Sequence, residues 1–331
     1  MTLDESIPRV ALGHWPTPLE PCDRLRAEIG GPRIWLKRDD CSGLAFGGNK
    51  TRKLEFLLGD AEATGASGVV TFGALQSNHC RQTAAACAVV GLPCHLILTE
   101  QVDRDTVHYT GSGNRMIDDV LGAIVHVVPD NDAALARCTE LLAADAALAV
   151  IGPGGSSAVG ALGYVAAAQE LAAQLRKRSI HPAAIVVASS TGGTAAGLVV
   201  GLAEMRMEVP VHAAAVYADA LTTRATIEHL IGATADLRGQ HLTVVDDALV
   251  VDDSMLGDGY GIETPESHEA IELLARTEGV LLDPVYSAKG FAHVLTGGFD
   301  GDADVVFIHT GGQPGLFAYA DAFSDGGSGV G

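Results

Sequence analysis

Four turns in this chain set glycines and polar side chains where an apolar run gives way to a helical pattern, and each is a place where chemistry could be done. The first reads Phe46-Gly47-Gly48-Asn49-Lys50-Thr51-Arg52-Lys53. Only five lysines occur (Lys37, Lys50, Lys53, Lys177 and Lys289), so an amine directly after two glycines and an asparagine stands out. With Asn49 as the cap, Lys50 falls in the first helical turn, where the positive end of the helix dipole disfavours an ammonium ion. A lowered pKa suits such an amine to act as nucleophile or base. Position alone is also satisfied by a solvated lysine at a helix start, the commoner occurrence.

The second turn, Gly73-Ala74-Leu75-Gln76-Ser77-Asn78-His79, precedes a helix expected to begin near Arg81. Ser77 or Asn78 serves as a cap in one reading; in another, the polar side chains and free amides of a helix N-terminus receive a carboxylate. His79 has no Cys or His at metal-ligand spacing, so a structural or substrate-side role is expected and no metal site. The third turn, Ser189-Ser190-Thr191-Gly192-Gly193-Thr194-Ala195-Ala196-Gly197, has the glycines and hydroxyls to close around a phosphate. Gly152-Pro153-Gly154-Gly155-Ser156-Ser157 occupies the same strand-to-helix context and competes with it. Neither is a Walker loop, and neither carries the G-x-G-x-x-G fingerprint of a nicotinamide oxidoreductase. The fourth region joins Asp258-Gly259-Tyr260-Gly261, Asp283-Pro284-Val285-Tyr286-Ser287-Ala288-Lys289 and Ile308-His309-Thr310-Gly311-Gly312. Its tyrosines can pack on a flat ring or move protons.

The elements that must position these turns follow an alternating α/β pattern. Apolar runs at Ile34–Lys37, Gly68–Phe72, His95–Leu98, Ile124–Val128, Ala149–Ile151, Ala184–Ala188, Val211–Val216 and Val305–His309 read as strands. Helical periodicity covers Arg52–Ala63, Arg81–Val90, Ala133–Leu142, Gly160–Leu175, Thr194–Met205, Pro265–Glu278 and Ala288–Leu295. A length of 331 residues with 47% hydrophobic content is enough for about two domains. The net charge of −20 argues against a nucleic-acid partner, since the longest basic cluster, Arg176-Lys177-Arg178, reads as a helix end. The acidic start Met1–Glu5 resembles no targeting signal and no apolar window reaches membrane length, so a cytoplasmic protein without a membrane partner is expected. The six cysteines lack paired spacing and read as reduced thiols. The tail 324–331, rich in Gly and Ser, is expected to be mobile.

Taken together, Lys37-Arg38-Asp39-Asp40, Gly47-Gly48-Asn49-Lys50-Thr51-Arg52-Lys53-Leu54-Glu55-Phe56 and Gln76-Ser77-Asn78-His79 resemble one family. It is the fold type II group of pyridoxal-phosphate (PLP) enzymes that contains D-cysteine desulfhydrase, 1-aminocyclopropane-1-carboxylate deaminase and L-cysteate sulfo-lyase. The resemblance implies two open twisted α/β domains, like those of the tryptophan synthase β class, with PLP between them. The larger would span 1–50 plus 164–323 and the smaller 51–163, usually in a homodimer. It also implies that Lys50 carries PLP covalently, that Asn78 bonds the cofactor's 3-oxygen, and that Ser190, Thr191, Gly192, Gly193, Thr194 and Ala195 hold its phosphate. Tyr286 would stack on the ring and Thr310 would face the ring nitrogen. Ser77, Asn78, His79 and Tyr260 would face a small amino-acid substrate. Lys50, Ser77, Tyr260 and Tyr286 form the implied catalytic set. Ala195 departs from the His that relatives often carry.

Within that family the activity turns on two positions. The cyclopropane deaminases typically carry Glu after the stacking tyrosine and Leu before the last Gly-Gly, where this chain has Ser287 and Thr310. A hydroxyl at the ring nitrogen makes a weaker electron sink than a carboxylate, which suffices to expel a thiolate. The reading is therefore β-elimination, from D-cysteine to pyruvate, sulfide and ammonia. L-Cysteate sulfo-lyase and then the deaminase are its alternatives, and a PLP-binding protein without turnover is the alternative of another class.

Overall fold

The computed structural model describes residues 7–239 and 246–323, so the tail 324–331 and the acidic start Met1–Glu5 lie outside the described residues. The described residues form ten strands. They are β1 (Leu19–Pro21), β2 (Arg33–Lys37), β3 (Gly68–Ala74), β4 (Cys94–Thr99), β5 (Ile124–Val128), β6 (Leu148–Ile151), β7 (Pro182–Ser189), β8 (Val211–Ala215), β9 (Leu249–Asp252) and β10 (Asp304–Ile308). Between them run α1 (Asp23–Ile29), α2 (Asn49–Ala63), α3 (Asn78–Val90), α4 (Val107–Gly111), α5 (Gly113–Val120) and α6 (Asn131–Ala144). The second half adds α7 (Ala158–Arg178), α8 (Gly193–Glu204), α9 (Ala220–Leu237), α10 (Pro265–Glu278), α11 (Ser287–Thr296) and α12 (Pro314–Ala318).

Two sheets result, as the alternating pattern requires. The larger has the order β1-β2-β10-β7-β8-β9 and is parallel except for the short edge strand β1. The smaller, β5-β4-β3-β6, is parallel throughout. Strand β7 shows why: Ala184, Ile185, Val186 and Val187 are fully buried on alternate sides, so both faces of the larger sheet must be covered. One core unites β7, β8 and helices α7, α8 and α9; another, on the opposite face, unites β2, β10, α10 and α11. All four strands of the smaller sheet fall between Gly68 and Ile151. The boundary expected at 163/164 lies inside α7, which runs unbroken from Ala158 to Arg178. Its N-cap Ser157 accepts from the Gly160 amide, and Arg176, Lys177 and Arg178 close its last turn, where cations suit the dipole.

All six cysteines are free, and all but Cys41 are buried. Among the described residues no helix is long and apolar enough to cross a membrane, and no group of three or more His, Cys, Asp or Glu side chains is placed to hold a metal ion.

Candidate active site

The carboxyl ends of β3 and β7 face a cavity of about 470 Å³ between the two sheets, lined by residues of all four turns singled out in the sequence. Helix α2 brings Lys50 to it. The chain enters α2 through Gly47 (φ 64°) and Gly48 (φ 125°), conformations that favour glycine, and a Cβ on Gly48 would come within 2.9 Å of the Thr310 carbonyl oxygen. Asn49 is the first helical residue rather than the cap: its amide N–H donates to Thr310 O at 3.0 Å and its side chain donates to Thr194 Oγ1 at 2.9 Å. That ties the lysine-bearing helix to both glycine turns of the larger sheet. Lys50 Nζ donates to Asn49 Oδ1 at 2.8 Å. Burial pulls the Lys50 pKa down to about 8, opposed by Asp283 and assisted by Arg81; desolvation, more than the helix end alone, makes this amine a usable base.

Opposite Lys50, α3 begins earlier than its periodicity suggests, at Asn78, with Ser77 as N-cap accepting from the Cys80 amide at 3.2 Å. Gln76 is turned away from the cavity, donating to the Tyr109 and Ser112 carbonyls. Asn78 is oriented by a residue that the sequence does not reveal: Asn114 Nδ2 donates to Asn78 Oδ1 at 2.9 Å, which leaves the Asn78 amino group to face the cavity. Asn114 in turn accepts from Arg81 Nε at 3.0 Å. His79 also lines the cavity. Its Nε2 sits 2.8 Å from Thr71 Oγ1, and burial together with the charges of Lys50 and Lys53 lowers its pKa well below the usual value. With one ring nitrogen on Thr71 and Thr83 against the other, His79 stands at the cavity wall as a structurally bonded imidazole.

The larger sheet supplies the third wall. Helix α8 starts at Gly193 behind Gly192 (φ 78°), which has no side chain to cap it; the Gly193 amide donates to Ser156 Oγ at 3.2 Å. A cap residue without a side chain leaves first-turn amides to an incoming anion. The Ser189 hydroxyl beside it is buried without a hydrogen-bond partner, an orphan that a ligand oxygen would satisfy. A second amine stands close by: a Cβ on Gly193 would lie 3.0 Å from Lys53 Nζ, which donates to Gly154 O and Ser156 Oγ, each at 3.1 Å. Burial and the Lys50 charge hold the Lys53 pKa well below that of a free lysine. The competing loop is therefore packed against this one, with Ser156 Oγ 2.7 Å from Thr191 Oγ1. Ser190, Thr191, Gly192, Gly193 and Thr194 line the cavity as a cradle that fits a phosphate monoester, while Ala195 is buried in the core behind it; with the amine of Lys50 across the cavity the donor set fits PLP.

Two phenols complete the site. Tyr260 and Tyr286 line the cavity with hydroxyls 2.5 Å apart, and Tyr217 packs edge-on against Tyr260. Burial pushes Tyr260 up to about 12 and raises Tyr286 well above the usual value, so both stay protonated. Thr310 reaches the cavity as the sequence suggests. Ser287 does not line it: its hydroxyl donates to Asp283 Oδ1 at 2.6 Å. Asp283, fully buried, accepts from the Val285, Tyr286 and Ser287 amides and fixes the start of α11.

The sequence pattern of the family described as pyridoxal-phosphate dependent enzyme matches residues 10–311. The chain belongs to that family. It is 41% identical over 321 residues to D-cysteine desulfhydrase of Salmonella paratyphi A, covering 94% of this chain and 96% of the relative. It is also 41% identical over 324 residues to the enzyme of the same name from Salmonella schwarzengrund, with the same coverage of each chain. Among solved structures, an ACC deaminase homologue superposes with a TM-score of 0.84 at 34% identity, over 96% of this chain and 95% of that one. Maize serine racemase shares the fold, with a TM-score of 0.63 at 14% identity over 93% and 91% of the two chains. The chain is thus a PLP-dependent enzyme of fold type II.

Proposed function

We propose that this enzyme eliminates the β-thiol of D-cysteine, giving pyruvate, hydrogen sulfide and ammonia. The observation that carries the reading is the 41% identity to D-cysteine desulfhydrases over nearly the whole length of both chains, joined to a site with a partly neutral amine and protonated phenols. When bound, PLP supplies the electron sink that makes the substrate's α-proton acidic. Lys50 is the residue that holds the cofactor and, freed by substrate, accepts that proton; a pKa near 8 keeps a useful fraction neutral around neutral pH. Ser77, Asn78 and the N-terminal amides of α3 hold the substrate carboxylate. Asn78 would also serve the cofactor's 3-oxygen, with Tyr286 against its ring and Thr310 toward the ring nitrogen.

Tyr260 and Tyr286 remain protonated and so can donate hydrogen bonds to the departing thiolate, which needs no proton to leave because a thiol ionises near pH 8.5. Water then converts the unsaturated amine to keto acid and ammonia. L-Cysteate, whose sulfite also leaves readily, is the second substrate to test. A cytoplasmic homodimer accompanies this reading; half-exposed apolar side chains at Phe46, Met116 and Phe317 support a partner surface. Side-by-side assays of D-cysteine, L-cysteine, L-cysteate and the cyclopropane acid decide the matter. Sulfide and pyruvate from D-cysteine, at a kcat/KM above the other three, are expected; sulfite as the dominant product would move the assignment to L-cysteate, and no keto acid from any of the four would leave a binding protein.

A further inference from the structure

Lys289 is a buried cation that the chemistry above leaves unused. It lies in the first turn of α11, three residues after Tyr286, and is fully buried. Its Nζ donates to Leu256 O at 2.6 Å and to Gly259 O at 3.3 Å, both in the turn that leads into Tyr260. Among the described residues it makes no salt bridge; burial lowers its pKa to about 8, opposed by Glu263 and Asp258 from further away, so it is still mostly charged at neutral pH. Burying an ammonium ion without a contacting carboxylate is costly, and a methionine would fill the same space without that cost. The two carbonyl contacts are what the charge provides in return.

Those contacts fall in a turn with little stiffness of its own. Gly257, Gly259 and Gly261 all have positive φ (63°, 142° and 78°), so the segment has three residues with unusually wide conformational freedom around one tyrosine. It is pinned on the far side by Tyr319, whose hydroxyl donates to Gly261 O at 2.8 Å. Lys289 pins the near side, from the same helix whose N-cap is Tyr286. One helix thus presents one phenol and ties down the loop that presents the other.

We propose that Lys289 is a positioning residue, a tethered cation that orders the 256–261 turn and holds the Tyr260 phenol against Tyr286. The proposal rests on the reading that these two phenols face the substrate. Lys289→Met removes the charge while keeping the packing, and Lys289→Ala leaves room for an added cation. Both are expected to attach PLP at Lys50 as the wild type does, to exchange the 256–261 amides faster, and to lose roughly ten- to a hundredfold in kcat with D-cysteine. Methylammonium should restore the alanine variant saturably, but not Tyr260→Phe/Lys289→Ala, which has no phenol left to position. A kcat within about twofold of wild type in both single variants, or unchanged exchange at 256–261, would overturn the proposal. Should the alanine variant not fold, Lys289→Gln, which keeps an N–H donor without the charge, serves in its place: faster exchange with lower kcat supports the clamp, and wild-type values of both overturn it. Wild-type protein that forms no keto acid from D-cysteine would remove the substrate reading and leave the exchange arm of the test standing.

Discussion

At the scale of single residues, Lys50 is legible because lysine is scarce and because two glycines and an asparagine precede it. What the sequence obscures is the cause of its reactivity: the helix start suggests the dipole, whereas burial is the main reason its pKa falls to about 8. Only the neutral amine can attack the PLP aldehyde, so the rate of cofactor uptake by the apoprotein should rise with pH and level off above about 8; stopped-flow absorbance across pH 6 to about 10 checks it. Asn114, Arg81 and Lys53 are not legible as site residues, since their roles arise from contacts between segments far apart in sequence, and no local pattern marks them. Ser287 is visible in the sequence as a departure from the deaminases, but its partner is not. A glutamate there would meet the buried Asp283 carboxylate. Ser287→Glu should therefore cost more than about 3 kcal/mol, visible as a lowered urea midpoint, unless Asp283 is neutralised as well.

At the scale of elements, the run Lys37-Arg38-Asp39-Asp40 joins the end of β2 to α2 and α7. Arg52 of α2 donates to Asp39 at 2.8 Å and to Glu170 at 3.0 Å, while Thr17 and Tyr164 donate to the same Asp39 carboxylate. Lys37 pairs with Glu170. Arg52 is two residues after Lys50 on α2, so the network anchors the start of the helix that delivers the amine. Burial alone would raise the Asp39 pKa, but the Arg52 and Lys37 charges hold it below the usual value. Its contribution to stability is then present above the unfolded carboxylate pKa of about 3.9 and is lost as pH falls through the lower folded value. Arg52→Met should destabilise the protein by about 3–5 kcal/mol at pH 7, with a gap to wild type that narrows below about pH 4. Denaturant melts at the two pH values test both the size and the direction.

Eight strands are readable because each carries an apolar run rich in β-branched or small residues, buried in β3, β4 and β7 and only partly covered in β5 and β6. The two that are not, β1 and β9, are edge strands of three and four residues with exposed positions and too few residues to show a pattern. Helix α9 escapes the periodicity for a related reason. Threonines and polar residues interrupt its buried face, and packing against β9 and α8, more than propensity, keeps it helical.

At the scale of the whole molecule, the two parallel sheets are foreseeable from the alternation of strands and helices, and the cavity from the rule that such sheets bind ligands beyond their carboxyl ends. Sequence alone does not choose between the two glycine loops, because both follow a strand and precede a helix. Three-dimensional packing sets Ser156 of one against Thr191 of the other; the helix after the first loop is capped by Ser157 while Gly192 has no side chain to cap α8, which supports the proposal that the Ser190–Ala195 turn holds the phosphate. The cavity is an assembly of distant elements, and in the function proposed above α2 would give the amine, α3 the carboxylate site, α8 the phosphate cradle and α11 the ring wall.

All of these roles require that the cofactor be joined to one amine. Borohydride reduction of the PLP-loaded protein, followed by peptide mass spectrometry, measures this directly. A single pyridoxyl adduct on Lys50, and none in Lys50→Ala, is expected; an adduct on Lys53 or Lys289 in the wild type, or no adduct in cofactor-saturated protein, would contradict the assignment.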